Sequence, residues 1–315
     1  MTVAVGADPA GGIAVRSDGS RPAIRLGGRF RLDERIVAVA ALSLWKATDE
    51  LLSRPVTVHL LPHGQPVPAH VVGAVQAAAR VNDPRLATIY DTDFASENPY
   101  LVSEWTRGTH LEDLVLSGLP RPALAAAMIA DAADALAVAH QARLPHLCLS
   151  PRSLRWDTAT GLKITGLGID AALSGATAAD PATADTIALG WMLYALLTGY
   201  WPGDEPTALP AAPRHKGRVY TPRQVRAGVP GVLDEITGHA LQLHRPGAPP
   251  SADGLTPAGL ATALRSVLQP SYSPFRPAEP PGGATDPAQD SRSRRQARHV
   301  RAGLRHRATL LRPAA

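Results

Sequence analysis

The sequence predicts an α+β protein built in two parts, and three observations carry that prediction. Residues 26–104 read as short strands, rich in β-branched residues, around one helix. Residues 105–269 read mostly as helices, with apolar residues recurring at three- and four-residue steps. The two ends, 1–25 and 270–315, are rich in Pro, Gly and small polar residues, and are expected to be a disordered leader and a disordered linker with a basic tail. Strands first and helices after is the order of an α+β fold with two lobes. At 315 residues and 45% apolar content the chain is long enough to bury a real core.

The elements follow in order. Strands are expected near Phe30–Ile36, Ala41–Thr48 and Pro55–Leu61, with a turn at Asp49–Arg54 between the last two. "HGQPVPAH" reads as a loop and "VVGAVQAAARV" as a short helix of good helix formers. "LATIYDTDF" and "PYLVSEW" complete a five-strand sheet, joined by a turn at Ala95–Pro99. "RPALAAAMIADAADALAVAHQARL" is a long helix with small-residue packing, and "GLKITGLGI" a short strand ending in glycines. Helices are then expected over Thr183–Thr198, Gly231–Leu243 and Thr256–Leu268. The most apolar run, Thr186–Trp201, falls short of the ~20 residues that span a bilayer and reads as a core helix.

Charge is unevenly placed. Of 32 basic residues 29 are Arg, and the net charge of +5 divides into +8 over Ser291–Ala315 and −3 over the rest. The basic balance therefore belongs to the tail. A single cysteine, Cys148, excludes an internal disulfide and a Cys-based zinc site, and fits a reducing compartment. The N-terminus lacks the basic start and apolar core of a secretion signal. A cytoplasmic location is expected, peripheral to the membrane if the tail binds it.

Several stretches, taken together, resemble the eukaryotic-like Ser/Thr protein kinase family over roughly Leu26 to Gln269. "RPVTVHLL" is similar to the third strand of that family, and "NDPRLATIYD" to the segment after its regulatory helix. "PYLVSEWTRGTHLEDLV" resembles the hinge, and "HLCLSPRSL" falls on H-R-D-L-K-P-x-N. "LKITGLGI" falls on V-K-L-x-D-F-G, and "ADTIALGWMLYALLTGYWP" is close to a long C-lobe helix. Each anchor alone is weak; six in order make the kinase-like fold a firm expectation. The resemblance implies an N-lobe over 26–104 and a C-lobe over 105–269.

The resemblance also assigns the chemistry, and there this chain departs from the pattern. Phosphoryl transfer is mostly positioning and charge neutralisation, so it rests on a few charged groups. The three loop glycines that let backbone approach phosphate correspond to Val37, Val39 and Leu42. The strand lysine corresponds to His59 and its helix glutamate partner to Ala74. The catalytic aspartate corresponds to Cys148, the following lysine to Ser150, the metal-binding asparagine to Ser153, and the D-F-G aspartate to Gly166. Glu104 and Trp105, with Val37, Val39 and Leu42, would line what is left of a nucleotide pocket. Lys46 reads as a solvated strand residue, and the available acids Asp170 and Asp180 as loop or cap residues rather than replacement metal ligands.

These departures lead to the expectation of a bacterial pseudokinase: no enzyme, no metal, no cofactor, and at most residual ATP binding without Mg²⁺. It is similar in style to the degenerate kinase domains that accompany actinobacterial MurJ/MviN cell-wall flippases, on "RPVTVHLLP" and "PRQVRAGVPGVLDEI". That implies a scaffold with protein partners, among them phosphopeptide-binding or cell-wall synthesis proteins. The alternative is a working Ser/Thr kinase that binds ATP through a rebuilt site, recognisable by a substitute cation near the phosphates. A third expectation makes the tail the docking element. There Val300 and Leu304 belong to a narrow apolar stripe on a basic helix suited to an anionic membrane or a partner groove, and Thr309 is a phosphorylation candidate. No aromatic residue interleaves the tail's arginines, which argues against nucleic acid. Cys148 reads as a small buried hydrophobe, and His59, His63 and His70 as no metal site.

Overall fold

The structure, a computed structural model, describes residues 24–39, 42–243 and 256–268. Val39 is described in backbone only, and the leader, linker and tail, with Val300, Leu304 and Thr309, lie outside the described residues.

The chain opens with β1 (Arg25–Leu26), β2 (Phe30–Val39), β3 (Leu42–Asp49) and β4 (Arg54–Leu60). Helix α1 (Ala69–Ala78) follows, then β5 (Ile89–Asp93) and β6 (Tyr100–Glu104). These strands form one antiparallel sheet in the order β1-β2-β3-β4-β6-β5. The expected sheet of five gains a sixth strand, because Gly27 and Gly28 take positive φ and fold two more residues back onto β2. Alternation along the strands sends Phe30, Val56, Val58, Tyr100 and Val102 into one cluster, where Phe30 and Tyr100 meet edge to face at 6.1 Å. Asp49, buried at the β3 end, takes two 2.8 Å bonds from Arg29, which hold its carboxyl down at about 2. Helix α1 buries Val71 and Val75 against Leu101 and Ile169.

The helical part begins with a two-residue strand β7 (Thr109–His110), α2 (Leu111–Ser117) and α3 (Pro122–Gln141). Proline at its N-terminus starts α3, and alanines on most faces let neighbours approach closely. Among the described helices α3 alone is long and apolar enough to cross a bilayer, and it lies buried at the centre of the core. Strand β8 (Leu154–Asp157) pairs with β7 on one side and β9 (Gly161–Ile164) on the other in a small antiparallel sheet. Short helix α4 (Ile169–Ser174) and long helix α5 (Pro181–Thr198) come next. Asp180 caps α5 by accepting from the Ala182 and Thr183 amides, and Gly199 closes it at φ 87°. A second small pair, β10 (Arg214–His215) and β11 (Arg218–Val219), precedes α6 (Pro222–Val225), α7 (Gly231–Ala240) and α8 (Pro257–Ser266). Helix α8 is tied to α3 by Arg265, which donates to Asp131 at 2.8 Å and also to Asp134. The result is the α+β, kinase-like arrangement that the sequence predicts: a sheet with one helix, then a helical body.

Candidate functional site

Between the six-stranded sheet and the helical body lies a cleft of about 240 Å³. Its roof is Ile36, Val37, Leu44 and His59, and its back wall includes Ala78, Val81, Leu86 and Ile89. Glu104, Trp105 and Thr106 form the connecting edge. Ser150, Arg152, Ser153, Arg155, Gly166 and Asp170 form the floor.

The floor is held by a buried carboxylate. Asp185, projecting from α5, is fully buried. Its Oδ2 accepts from His140 Nε2 and from the His146 amide, both at 2.8 Å, and its Oδ1 accepts from the Leu147 amide at 2.7 Å. Leu147 sits at φ 60°, a left-handed conformation that costs a branched residue about 1–2 kcal/mol. The Asp185 bonds hold it there. His146 is buried and donates from Nε2 to the Thr165 carbonyl at 2.8 Å, fixing the loop to the segment after β9. Within the loop, the Ser150 amide donates to Ser153 Oγ at 3.1 Å, and the two hydroxyls lie 3.2 Å apart.

The residues singled out from sequence divide into two groups. Val37, His59, Glu104, Trp105, Ser150, Ser153 and Gly166 all line the cleft. Leu42 pairs with Val39 at the tip of the β2–β3 hairpin and is not part of the cleft wall. Ala74 lies on α1, and its carbonyl is 3.1 Å from where a Cβ on Gly168 would stand. Cys148 points away from the cleft, 3.3 Å from Ser174 Oγ, and burial pushes its thiol up, so it stays protonated at neutral pH. His59 is pushed down to about 4 by burial, so it is neutral and supplies no cation to the roof. Lys46 is not simply solvated: its Nζ lies 5.2 Å from the centre of the Trp105 ring.

Four charged residues of the site are not legible from the sequence alone. Asp170, in the first turn of α4, folds back so that a Cβ on Gly166 would land on its carboxylate. It thus places an acid at the position that the resemblance gives to the D-F-G aspartate. Burial raises its pKa, and the neighbouring His146 pulls it back in part. Lys163 forms a 2.7 Å ion pair with Glu104. Arg152 reaches Glu112 at 2.9 Å. Arg155 donates from Nη1 to the Gly108 carbonyl at 2.9 Å and from Nη2 to His110 Nε2 at 2.8 Å. Burial first, and then the charge of Arg155, keep His110 below its ordinary range, so the neutral ring can accept that bond. The one signal for Arg155 is strand alternation: Leu154 and Trp156 pack with the core, which leaves Arg155 for the opposite face of β8.

No family model matches the chain. It is similar to the serine/threonine-protein kinase PrkC of Bacillus subtilis, 26% identical over 217 residues, 61% of this chain and 34% of that protein. It is 28% identical over 181 residues to the serine/threonine-protein kinase PknB of Mycobacterium leprae, 45% of this chain and 29% of that one. Over 249 residues it is 26% identical to the serine/threonine-protein kinase PknL of Mycobacterium bovis, 68% of this chain and 61% of that one. The chain spans about a third of the length of the first two and under two thirds of the third. Its relatives are thus bacterial Ser/Thr protein kinases, which supports a protein-kinase family for this chain. The expectation of a non-enzyme is corrected here: the proteins it matches are named as kinases, and the likeness points to an enzyme. Comparing motif positions one by one does not register that Asp170, four residues beyond the position compared, lies against Gly166 in three dimensions.

Proposed function

We propose that the chain is a Ser/Thr protein kinase whose cleft binds a nucleoside triphosphate through a rebuilt site. The observation that carries this is the Asp170 carboxylate standing against Gly166 on the cleft floor. Mg²⁺ is commonly held by one or two carboxylates together with substrate phosphates and water. Among the described residues no three His, Cys, Asp or Glu gather into a metal cluster, so Asp170 would hold the ion with phosphate oxygens and water completing its shell. When bound, the ion would neutralise phosphate charge. The other roles fall to this chain's own residues. Ile36 and Val37 line the cleft with apolar surface, and the Asp185-pinned loop carries Ser150 and Ser153 to the floor that Asp170 also lines. In the transfer, the bond from the γ-phosphorus to its bridging oxygen breaks as a bond to a Ser or Thr hydroxyl oxygen forms. The hydroxyl proton leaves to solvent. The relatives named as Ser/Thr kinases support the same activity.

The test is calorimetry of the full chain with nucleoside triphosphates, with and without Mg²⁺, paired with transfer of labelled γ-phosphate to Ser/Thr peptides. Mg²⁺-dependent binding that Asp170→Asn weakens on the order of tenfold, with transfer lost, is the expected result. Absence of binding at millimolar nucleotide and Mg²⁺ would overturn the proposal.

A further inference from the structure

The cleft holds two charged side chains outside any ion pair among the described residues. Glu104 is satisfied by Lys163 and Arg152 by Glu112. Asp170 and Arg155 make no such pair, and only longer-range charges act on them, His146 on Asp170 and Asp113 on Arg155. Arg155 is half-buried, and burial lowers its pKa. Two of its five N–H groups are spent, on the Gly108 carbonyl and on His110. Three remain, on a planar group held in place from both sides and 5.8 Å from the Trp105 ring. Arg155 stands on β8 across from Lys163 of β9, and Asp170 follows beyond the end of β9 on α4, so the two line the cleft from different elements.

We propose that Arg155 reads the base of the bound nucleotide and makes the cleft selective for guanine over adenine. The inference rests on the nucleotide site proposed above. If Asp170 holds the metal and phosphates, an elongated nucleotide lays its base at the Trp105–Arg155 end. A guanidinium offers only donors. Guanine presents O6 and N7, two adjacent acceptors, which suit a fork of N–H groups; adenine presents N7 beside an N6 amino donor, which faces donor with donor. The Trp105 ring, flanked by Lys46 and Arg155, gives the same end an aromatic wall.

The experiment is calorimetry of the full chain with the Mg²⁺ complexes of GTP, ITP and ATP, on the native protein, Arg155→Met and Arg155→Lys. Inosine keeps O6 and N7 and lacks only the 2-amino group. GTP and ITP binding about tenfold or more tighter than ATP is expected, from the ~1–3 kcal/mol that a two-donor contact to a base contributes. Both variants should lose that preference while still binding ATP, and Arg155→Lys serves if Arg155→Met fails to fold. Equal or tighter binding of ATP overturns the inference and leaves the kinase proposal standing. A uniform loss of all three nucleotides in the variants also overturns it, since Arg155 would then be gripping phosphate. Failure of the native protein to bind any of them overturns both.

Discussion

Asp185 offers the sharpest test of how the cleft floor is built. Replacing it with Ala removes a fully buried carboxylate that accepts three bonds of 2.7–2.8 Å, two from backbone amides and one from His140. A hydrogen bond to a charged group contributes roughly 1.5–3 kcal/mol net, and removing one partner also leaves the other buried and unpaired. The three bonds act on one loop and will not add in full. The measured precedent for breaking a buried charged pair, about 3–5 kcal/mol, sets the scale. For a folded region of this size each kcal/mol lowers Tm by about 2–4 °C, so the variant should melt about 6–20 °C early. Urea denaturation followed by tryptophan fluorescence, with calorimetric melting, reads both quantities. Asp185→Asn keeps the shape but turns an amino group toward donors, so it should recover little of the loss. A cost below about 1 kcal/mol for Asp185→Ala would refute the reasoning, since the loop would then be held by something else.

Two further perturbations probe the cleft itself. His59 has a folded pKa of about 4 against an ordinary 6.5. The unfolded chain therefore takes up its proton first, and stability falls as pH drops from about 6.5 through about 4. His59→Met should flatten that part of a Tm-against-pH curve, and an unchanged curve would remove His59 as the cause. Gly166→Ala places a Cβ at φ 86° and onto the Asp170 carboxylate. It should cost about 1–3 kcal/mol in denaturant unfolding and lower Mg²⁺-nucleotide affinity as Asp170→Asn does; a silent substitution would show that Asp170 does not sit against Gly166.

The elements with strong local signals were legible. The β2–β3–β4 meander, α3, α5 and the capped ends of α5 follow from alternation, helical spacing, Asp180 and Gly199. The shorter pieces were not. Helices α2 and α4 and strand β8 run only 7, 6 and 4 residues, too few for a period to declare itself, and they are held by tertiary contacts. The site failed for the same reason. Arg155 lies on β8, and Asp170 opens α4, directly after two left-handed glycines at 166 and 168. Position-by-position comparison sees only the residue at each place in the chain, and cannot register an acid that a turn at two glycines returns to a compared position.

The consequence reaches beyond these two residues. In phosphoryl transfer the protein supplies charge at defined points more than covalent chemistry, so what must be preserved is a field and not a motif. His59 and Cys148 offer no charge at the positions where it was sought. Yet an acid remains on the floor at Asp170, a fixed guanidinium at Arg155, and a second cation, Lys46, beside the Trp105 ring. A neutral His59 and apolar Ile36 and Val37 line the same cleft and add no competing charge to it. Burial raises the Asp170 pKa, so its charged form gains from a cation placed beside it. A half-buried carboxylate and a guanidinium, both lining the cleft and neither in an ion pair, are an arrangement that a ligand carrying a cation and acceptor groups would complete.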